Sequence, residues 1–171
     1  MAPRWGCCMR IAAEISVGIA AVGPAWADDE VLKPIPAAEC QTLATQLQDA
    51  LGIPMKAGED DFRDINTGDD GRSCHIQGSA SDKTYENPDE VMEKIGKVFA
   101  DWREDPDRAD SGPDGADDGY TREKRLAVLG VSWEPGPGVT CSQKGSLAAC
   151  KILPQQKLWT AIADIMEKAE K

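Results

Sequence analysis

Histidine is almost absent from this sequence, and that scarcity limits the reactions the chain can perform. His75 is the single histidine among 171 residues, so a Ser-His-Asp or Cys-His catalytic site would have to include it. Cys74 adjoins His75, but adjacent residues of a strand point to opposite faces. The sequence also lacks G-x-S-x-G, H-E-x-x-H, Walker A and G-x-G-x-x-G motifs. His75 is therefore expected to be an ordinary surface residue, with a catalytic or metal-binding role as the alternative.

Basic residues are also scarce. The chain has 19 Lys and Arg against 30 Asp and Glu, which gives a formal net charge of −11. Nucleic acids and anionic lipid headgroups need basic patches on the protein that binds them. The composition therefore argues against both partners, and it favours simple solubility, cationic partners or metal ions.

Residues 1–27 have the pattern of a secretory signal peptide. Arg4 and Arg10 precede a short apolar stretch, and residues 25–27 form the small-x-small pattern of a cleavage site. A membrane anchor would need about 20 apolar residues, whereas Glu14 interrupts a run that is already shorter. The sequence thus predicts a cleaved leader and a periplasmic or secreted protein.

The mature chain, residues 28–171, is expected to be a single domain with no transmembrane span. Removing the leader takes away two arginines and one glutamate, which changes the net charge from −11 to −12. The chain is long enough to bury most of its apolar side chains in one core.

Four cysteines remain after cleavage, and an even number in an oxidising compartment predicts two disulfides. Gly145 and Ser146 suit a type II′ hairpin turn that would place Cys141 opposite Cys150. This pairing leaves Cys40 to Cys74. A four-cysteine zinc site is the rival, but the sequence contains no C-x-x-C spacing.

Three helices are predicted from apolar spacing and from end signals. The first carries a stripe that includes Cys40 and Leu47 and ends at Gly52. The second begins at Asn87 and Pro88, which suit its N-cap and first turn. The third begins at Pro154 and buries a face made of Leu158, Trp159, Ile162, Ile165, Met166 and Ala169.

Strands are predicted at residues 73–81 and 126–133 and in a hairpin over residues 139–153. The element order is then α-β-α-β-β-β-α. We expect a disulfide-stabilised α+β fold, in which an antiparallel sheet of about four strands carries three helices mainly on one face.

Residues 104–119 form an acidic stretch rich in proline and glycine, which predicts a mobile, solvated loop without helix or ladder hydrogen bonds. Its aspartates offer the hard oxygen ligands that calcium takes: Asp105, Asp107, Asp110, Asp114, Asp117 and Asp118. The spacing does not match an EF-hand loop. Calcium is the one cofactor that the sequence suggests, and contact with a partner is the other role for this loop.

The sequence names no ligand. Tyr85 and Tyr120 flank loops and are candidate interface residues. Together the observations favour an exported, non-catalytic binding or protein-interaction domain, whose partner is an envelope protein or a small ligand. An envelope hydrolase with paired carboxylates and a calcium-binding accessory protein are the alternatives.

Overall fold

The computed structural model describes residues 31–65, 67–141 and 152–168. In these residues the chain forms two α-helices and a single mixed sheet of eight strands. In chain order the elements are β1 Leu32–Pro34, α1 Ala37–Leu51, β2 Lys56–Arg63, β3 Asp70–Ala80, α2 Pro88–Val98, β4 Arg103–Glu104, β5 Asp110–Ser111, β6 Gly115–Arg122, β7 Arg125–Pro135 and β8 Lys157–Lys168. Short 3₁₀ turns occupy Pro106–Arg108 and Pro154–Gln156.

The strand order across the sheet is β2-β3-β1-β8-β7-β6-β4, and β5 pairs with β6. The strand β1 pairs in parallel with β3 through Leu32 and Gly71, and every other described pairing is antiparallel. Beyond the short β1, the strands β3 and β8 pair directly, from Cys74 opposite Ile165 to Ala80 opposite Trp159. The sheet is therefore continuous from β2 to β6.

Both helices pack on one face of the sheet, and their ends lie where local sequence signals place them. Gly52 caps α1 in the left-handed conformation with φ 60°, which glycine adopts without strain. The Asn87 side chain accepts a hydrogen bond from the Glu90 N–H at the start of α2. No helix in the described parts of the chain is long and apolar enough to cross a membrane.

The main core lies between the helices and this face. Leu47 of α1 and Ile95 of α2 meet small and branched side chains of the central strands, among them Ala163 and Ile165. A smaller cluster lies on the opposite, helix-free face and consists of Leu32, Phe62, Leu126 and Met166. His75 and Asp164 lie on this helix-free face, where the candidate site is found.

The prediction of a third helix after Pro154 is wrong, because this segment forms β8. Its burial alternates strictly over Lys157–Ile165, with Trp159 and Ile165 facing the helices. A helix stripe and a strand alternation both fit this segment, so the surrounding fold decides between them. Ala161 and Ala163 on the inner face are small, which lets the helices lie close to the sheet. Pairing of β8 with both β3 and β7 outweighs the helix preference of its alanines.

The predicted four-stranded antiparallel sheet is wrong too, because polar segments supply further strands. The strand β2 forms an exposed end of the sheet and buries only Phe62, so it shows no apolar alternation. The acidic stretch 104–119 was expected to have no ladder hydrogen bonds. Instead, β5 and β6 pair there, from Asp110 opposite Asp117 to Ser111 opposite Ala116.

The predicted disulfide between Cys40 and Cys74 is confirmed. It joins α1 to β3 with a Cα–Cα distance of 5.8 Å, and both cysteines are buried in the main core. The other predicted pair, Cys141 with Cys150, belongs to a hairpin whose residues 142–151 lie outside the described residues, as does the leader, residues 1–27.

Candidate functional site

A cleft of about 370 Å³ crosses the helix-free face of the sheet. Its floor is built from residues of four neighbouring strands, which include His75 of β3, Asp164 of β8 and Val128 of β7. The end of β2 with its following turn forms one wall, and the 3₁₀ turn Pro106–Arg108 forms the other. The two walls come from segments that are far apart in sequence.

The cleft is strongly acidic. Six carboxylates line it, those of Asp60, Asp61, Asp64, Asp107, Asp117 and Asp164. Against them stand two guanidinium groups, of Arg63 and Arg108, and the imidazole of His75. The Arg108 charge is already matched by carboxylates of the walls, so the field in the cleft attracts cations.

Ser73, His75 and Asp164 form a hydrogen-bonded group in the floor. His75 and Asp164 are directly opposite each other on β3 and β8. The His75 Nδ1 lies 2.9 Å from Asp164 Oδ1, and the fully buried Ser73 hydroxyl donates to the same oxygen at 2.6 Å. A carboxylate only accepts hydrogen bonds, so Nδ1 carries the proton. The imidazole is thereby fixed in one orientation.

The pKa of His75 is raised above its ordinary value by the acids around it. Burial acts in the opposite direction and lowers the pKa, but the hydrogen bond to Asp164 and the charge of Asp164 outweigh it. A hydrogen bond with Gln77 and the charge of Asp60 raise the pKa further. The protonated imidazole is therefore a more persistent cation here than a free histidine.

This group is not arranged as a nucleophilic triad. In a triad the serine hydroxyl donates to the imidazole, and the carboxylate holds the other ring nitrogen. Here the Ser73 hydroxyl donates to the carboxylate of Asp164, so His75 does not activate it. The arrangement can hold charge and orient a ligand, and it does not supply a nucleophile.

Arg108 ties the two walls of the cleft together. Its guanidinium donates to the carboxylates of Asp64 and Asp69 and, at 3.1 Å, to the Thr67 hydroxyl, while Asp105 Oδ2 lies 3.3 Å from Nε. The Arg108 side chain is only 8% exposed. It connects the 3₁₀ turn to the turn between β2 and β3.

Asp117 lies at the β6 end of the cleft, opposite Asp110 of β5. Partial burial raises the pKa of Asp117, and the negative charge of Asp110 raises it further. Its Oδ1 occupies the space beside Gly130, where a Cβ would come within 2.8 Å. Asp110 and Asp117 together line a neighbouring depression, so they form a carboxylate pair beside the cleft.

The six aspartates predicted as calcium ligands are spread over different environments. Asp105 contacts Arg108, Asp110 and Asp117 face each other across β5 and β6, and the Asp118 carboxylate accepts a hydrogen bond from Tyr120. Within the described residues, no group of three or more His, Cys, Asp or Glu side chains could hold a metal ion. Asp107 lines the cleft, and Asp114 borders a separate depression near Trp133.

The two tyrosines considered for an interface are in the core. The Tyr85 hydroxyl donates to the Leu51 carbonyl, and its ring packs edge-on against Trp159. Tyr120 stacks on Phe99, and burial together with the Asp118 charge raises its pKa to about 12. Both rings are buried, so neither lies on the surface of the cleft.

Sequence reasoning placed His75 on the polar face of a strand, but it missed the residues that surround it. Asp164 interrupts an otherwise apolar segment, and this charge was a usable signal. Arg108 had no signal, because its partners Asp64 and Asp69 lie 44 and 39 residues earlier in the chain. Comparison with family models, curated proteins and solved structures finds no match for this chain.

Proposed function

We propose that this protein is an exported binding domain that takes a cationic group of a partner in the acidic cleft. The observation that carries the proposal is the cleft itself, in which six carboxylates face two arginines and one histidine. The leader pattern of residues 1–27 supports export. The Cys40–Cys74 disulfide is compatible with an oxidising compartment.

The pairing of Arg108 supports a cationic ligand. Its contacts with Asp64, Asp69 and Asp105 neutralise it within the walls, so it offers little charge to an anion. Asp60 and Asp107 also line the cleft, as does Asp164, which is hydrogen-bonded to His75 and Ser73. A cation that enters replaces part of their solvation with direct ion pairs.

The single histidine provides a direct test, because a chain with one histidine gives a single, unambiguous Hε1 resonance in an NMR titration. A cation bound beside His75 disfavours the protonated imidazole, so adding tetralysine should lower the measured pKa of His75. Tetraglutamate at the same ionic strength is the control and should leave this pKa unchanged. If tetralysine also leaves it unchanged, the cleft does not bind cations and the proposal is wrong.

Matched charge variants distinguish binding in the cleft from general electrostatic attraction of a cation to an acidic protein. Asp60→Asn with Asp61→Asn removes two charges at the cleft, and Asp49→Asn with Asp82→Asn removes two exposed charges elsewhere. We expect about tenfold weaker binding of tetralysine for the first pair. Equal weakening by both pairs would indicate non-specific attraction.

Asp110 and Asp117 favour a second candidate function, a hydrolase that uses paired carboxylates. A carboxyl group with a raised pKa suits a general acid, and Asp117 has one. Turnover of chromogenic glycosides that Asp117→Asn abolishes would support this function. The absence of turnover, together with cation binding at His75, supports the binding domain.

A further inference from the structure

A straight row of residues crosses the floor of the cleft from one side of the sheet to the other. The strand registers place Gly58 opposite His75, His75 opposite Asp164, Asp164 opposite Val128, and Val128 opposite Gly119. Residues directly opposite each other in antiparallel strands share a face. Both end residues of the row are glycines, so neither of them places a side chain of its own over the floor.

The two ends of the row nevertheless differ. A Cβ at Gly119 would lie 2.7 Å from Cβ and Cδ of Arg108, so the Arg108 side chain fills that end. A Cβ at Gly58 would meet nothing within 4 Å. The cleft is therefore closed at β6 and open at β2.

In the described part of the chain, the open end coincides with an unpaired edge of the sheet. Among the described residues, β2 pairs with β3 alone and lies last in the strand order. An edge strand presents unpaired N–H and C=O groups that can pair with a further strand. Here that edge strand carries Glu59, Asp60 and Asp61, and all three are exposed. Arg72 of β3 forms ion pairs with Glu59 and Asp61, so the three acids outnumber the one cation beside them.

Charge decides which kind of chain fits this edge. A second copy of this protein would bring a net charge of −11 and the same three acids to the edge, so repulsion opposes self-pairing. A basic extended segment meets complementary charge both along β2 and inside the cleft. Edge pairing of this kind is an established mode of peptide recognition.

We propose that an extended, basic segment of a partner protein adds to the outer edge of β2 as a further strand. One of its lysine or arginine side chains then lies across Gly58 and reaches Asp60 and the His75–Asp164 pair. Neighbouring strands are about 4.8 Å apart, a distance that a lysine or arginine side chain can span. Gly58 has no side chain, so nothing on β2 blocks the path at that position. This inference rests on the proposed function and names the partner for the same cleft.

The test uses a capped octapeptide of alternating lysine and threonine, with binding followed through the backbone amides of β2 by NMR. Two further peptides carry backbone N-methyl groups, the first at every lysine and the second at every threonine. Each modification removes the N–H donors along one edge of the peptide strand. We expect at least one of these peptides to bind more than tenfold more weakly than the unmodified one. A glutamate-threonine peptide is the charge control and should not bind.

Gly58→Leu tests the open end, and Gly112→Leu is the matched control. Gly112 also lacks a left-handed φ, and its nearest neighbour would lie 3.6 Å from a Cβ. We expect Gly58→Leu to weaken binding of the unmodified octapeptide more than tenfold and Gly112→Leu to leave it unchanged. If Gly58→Leu does not fold, Gly58→Ala and the methylated peptides still decide the question.

Three outcomes would overturn the inference. Equal binding of all the basic peptides, unaffected by Gly58→Leu, would mean that the cleft takes cations without edge pairing, and the proposed function would survive alone. No binding by any basic peptide would overturn both. Sedimentation that shows a dimer dissociated by a charge reversal in β2 would mean that a second copy occupies the edge.

Discussion

His75 illustrates how one residue acquires its properties from strands that are distant in sequence. Its Nδ1 contacts Asp164, which is 89 residues away, and the charge of Asp60 reaches it from β2. The acids on both sides favour the protonated ring more than burial disfavours it. A titrating cation therefore lies in the floor of the cleft, although the sequence around His75 contains no acid within four residues on its C-terminal side.

The raised pKa of His75 predicts a pH dependence of stability. A group whose pKa is higher in the folded than in the unfolded state stabilises the fold below its unfolded pKa. This contribution is lost as the pH rises through the folded pKa. We expect the difference in free energy of unfolding between the wild type and His75→Gln to shrink from pH 5.5 to pH 8.5. A difference that stays constant over this range, measured by urea denaturation, would contradict the raised pKa.

At the scale of elements, the acidic segment after α2 is ordered by contacts that its composition does not suggest. Arg108 of the 3₁₀ turn is bound by Asp64 and Asp69 of the turn between β2 and β3. Gly119 of β6 lets the Arg108 side chain lie flat against the sheet. The acidic segment, whose composition predicts a solvated loop, is thus fixed by the ion pairs of Arg108 with the surrounding aspartates.

Arg108→Met should destabilise the fold by about 3 kcal/mol or more, because it leaves the carboxylates of Asp64 and Asp69 together without their cation. Arg103→Met is the matched control, since Arg103 lies exposed on the short strand β4. We expect the control to change the free energy of unfolding by less than about 0.5 kcal/mol. Equal effects of the two variants in guanidinium denaturation would show that the Arg108 contacts contribute nothing specific.

The two helices that the sequence predicted correctly have local end signals, and the strands predicted at residues 73–81 and 126–133, which correspond to β3 and β7, follow from their apolar patterning. The end of α1 and the start of α2 follow from Gly52 and Asn87, which act on the backbone beside them. The strands β2 and β8 could not be predicted in this way. Polar β2 exists because β3 pairs with it, and β8 is a strand because two neighbours pair with it. Of the site, the polar face of β3 was predictable, whereas Asp164 and Arg108 depend on long-range contacts.

At the scale of the whole molecule, the Cys40–Cys74 disulfide joins the helical layer to the sheet. It closes a loop of 34 residues, so the chain-entropy model gives it about 3–4 kcal/mol of stabilisation. Most of this loop is α1 and β2, which lie at one side of the sheet.

We expect Cys40→Ala with Cys74→Ala to lower the free energy of unfolding by about this amount. Guanidinium denaturation of the wild type and the double variant, both without reductant, measures the loss. A loss below about 1 kcal/mol would mean that the denatured chain is not constrained by this bridge. Thermal unfolding followed by circular dichroism provides an independent check.

The position of β8 has a consequence for the order of events in folding. It is the last element of the described chain, yet it lies between β1 and β3 on one side and β7 on the other. The two parts of the sheet therefore cannot join until residues 157–168 have left the ribosome. Pairings such as that of Ser73 with Asp164, 91 residues apart, form slowly because a long segment must be ordered first. Because β8 is central to the sheet and follows β1, β3 and β7 along the chain, the sheet stays incomplete until this strand has been made. An incomplete fold of this kind would suit the export that we propose.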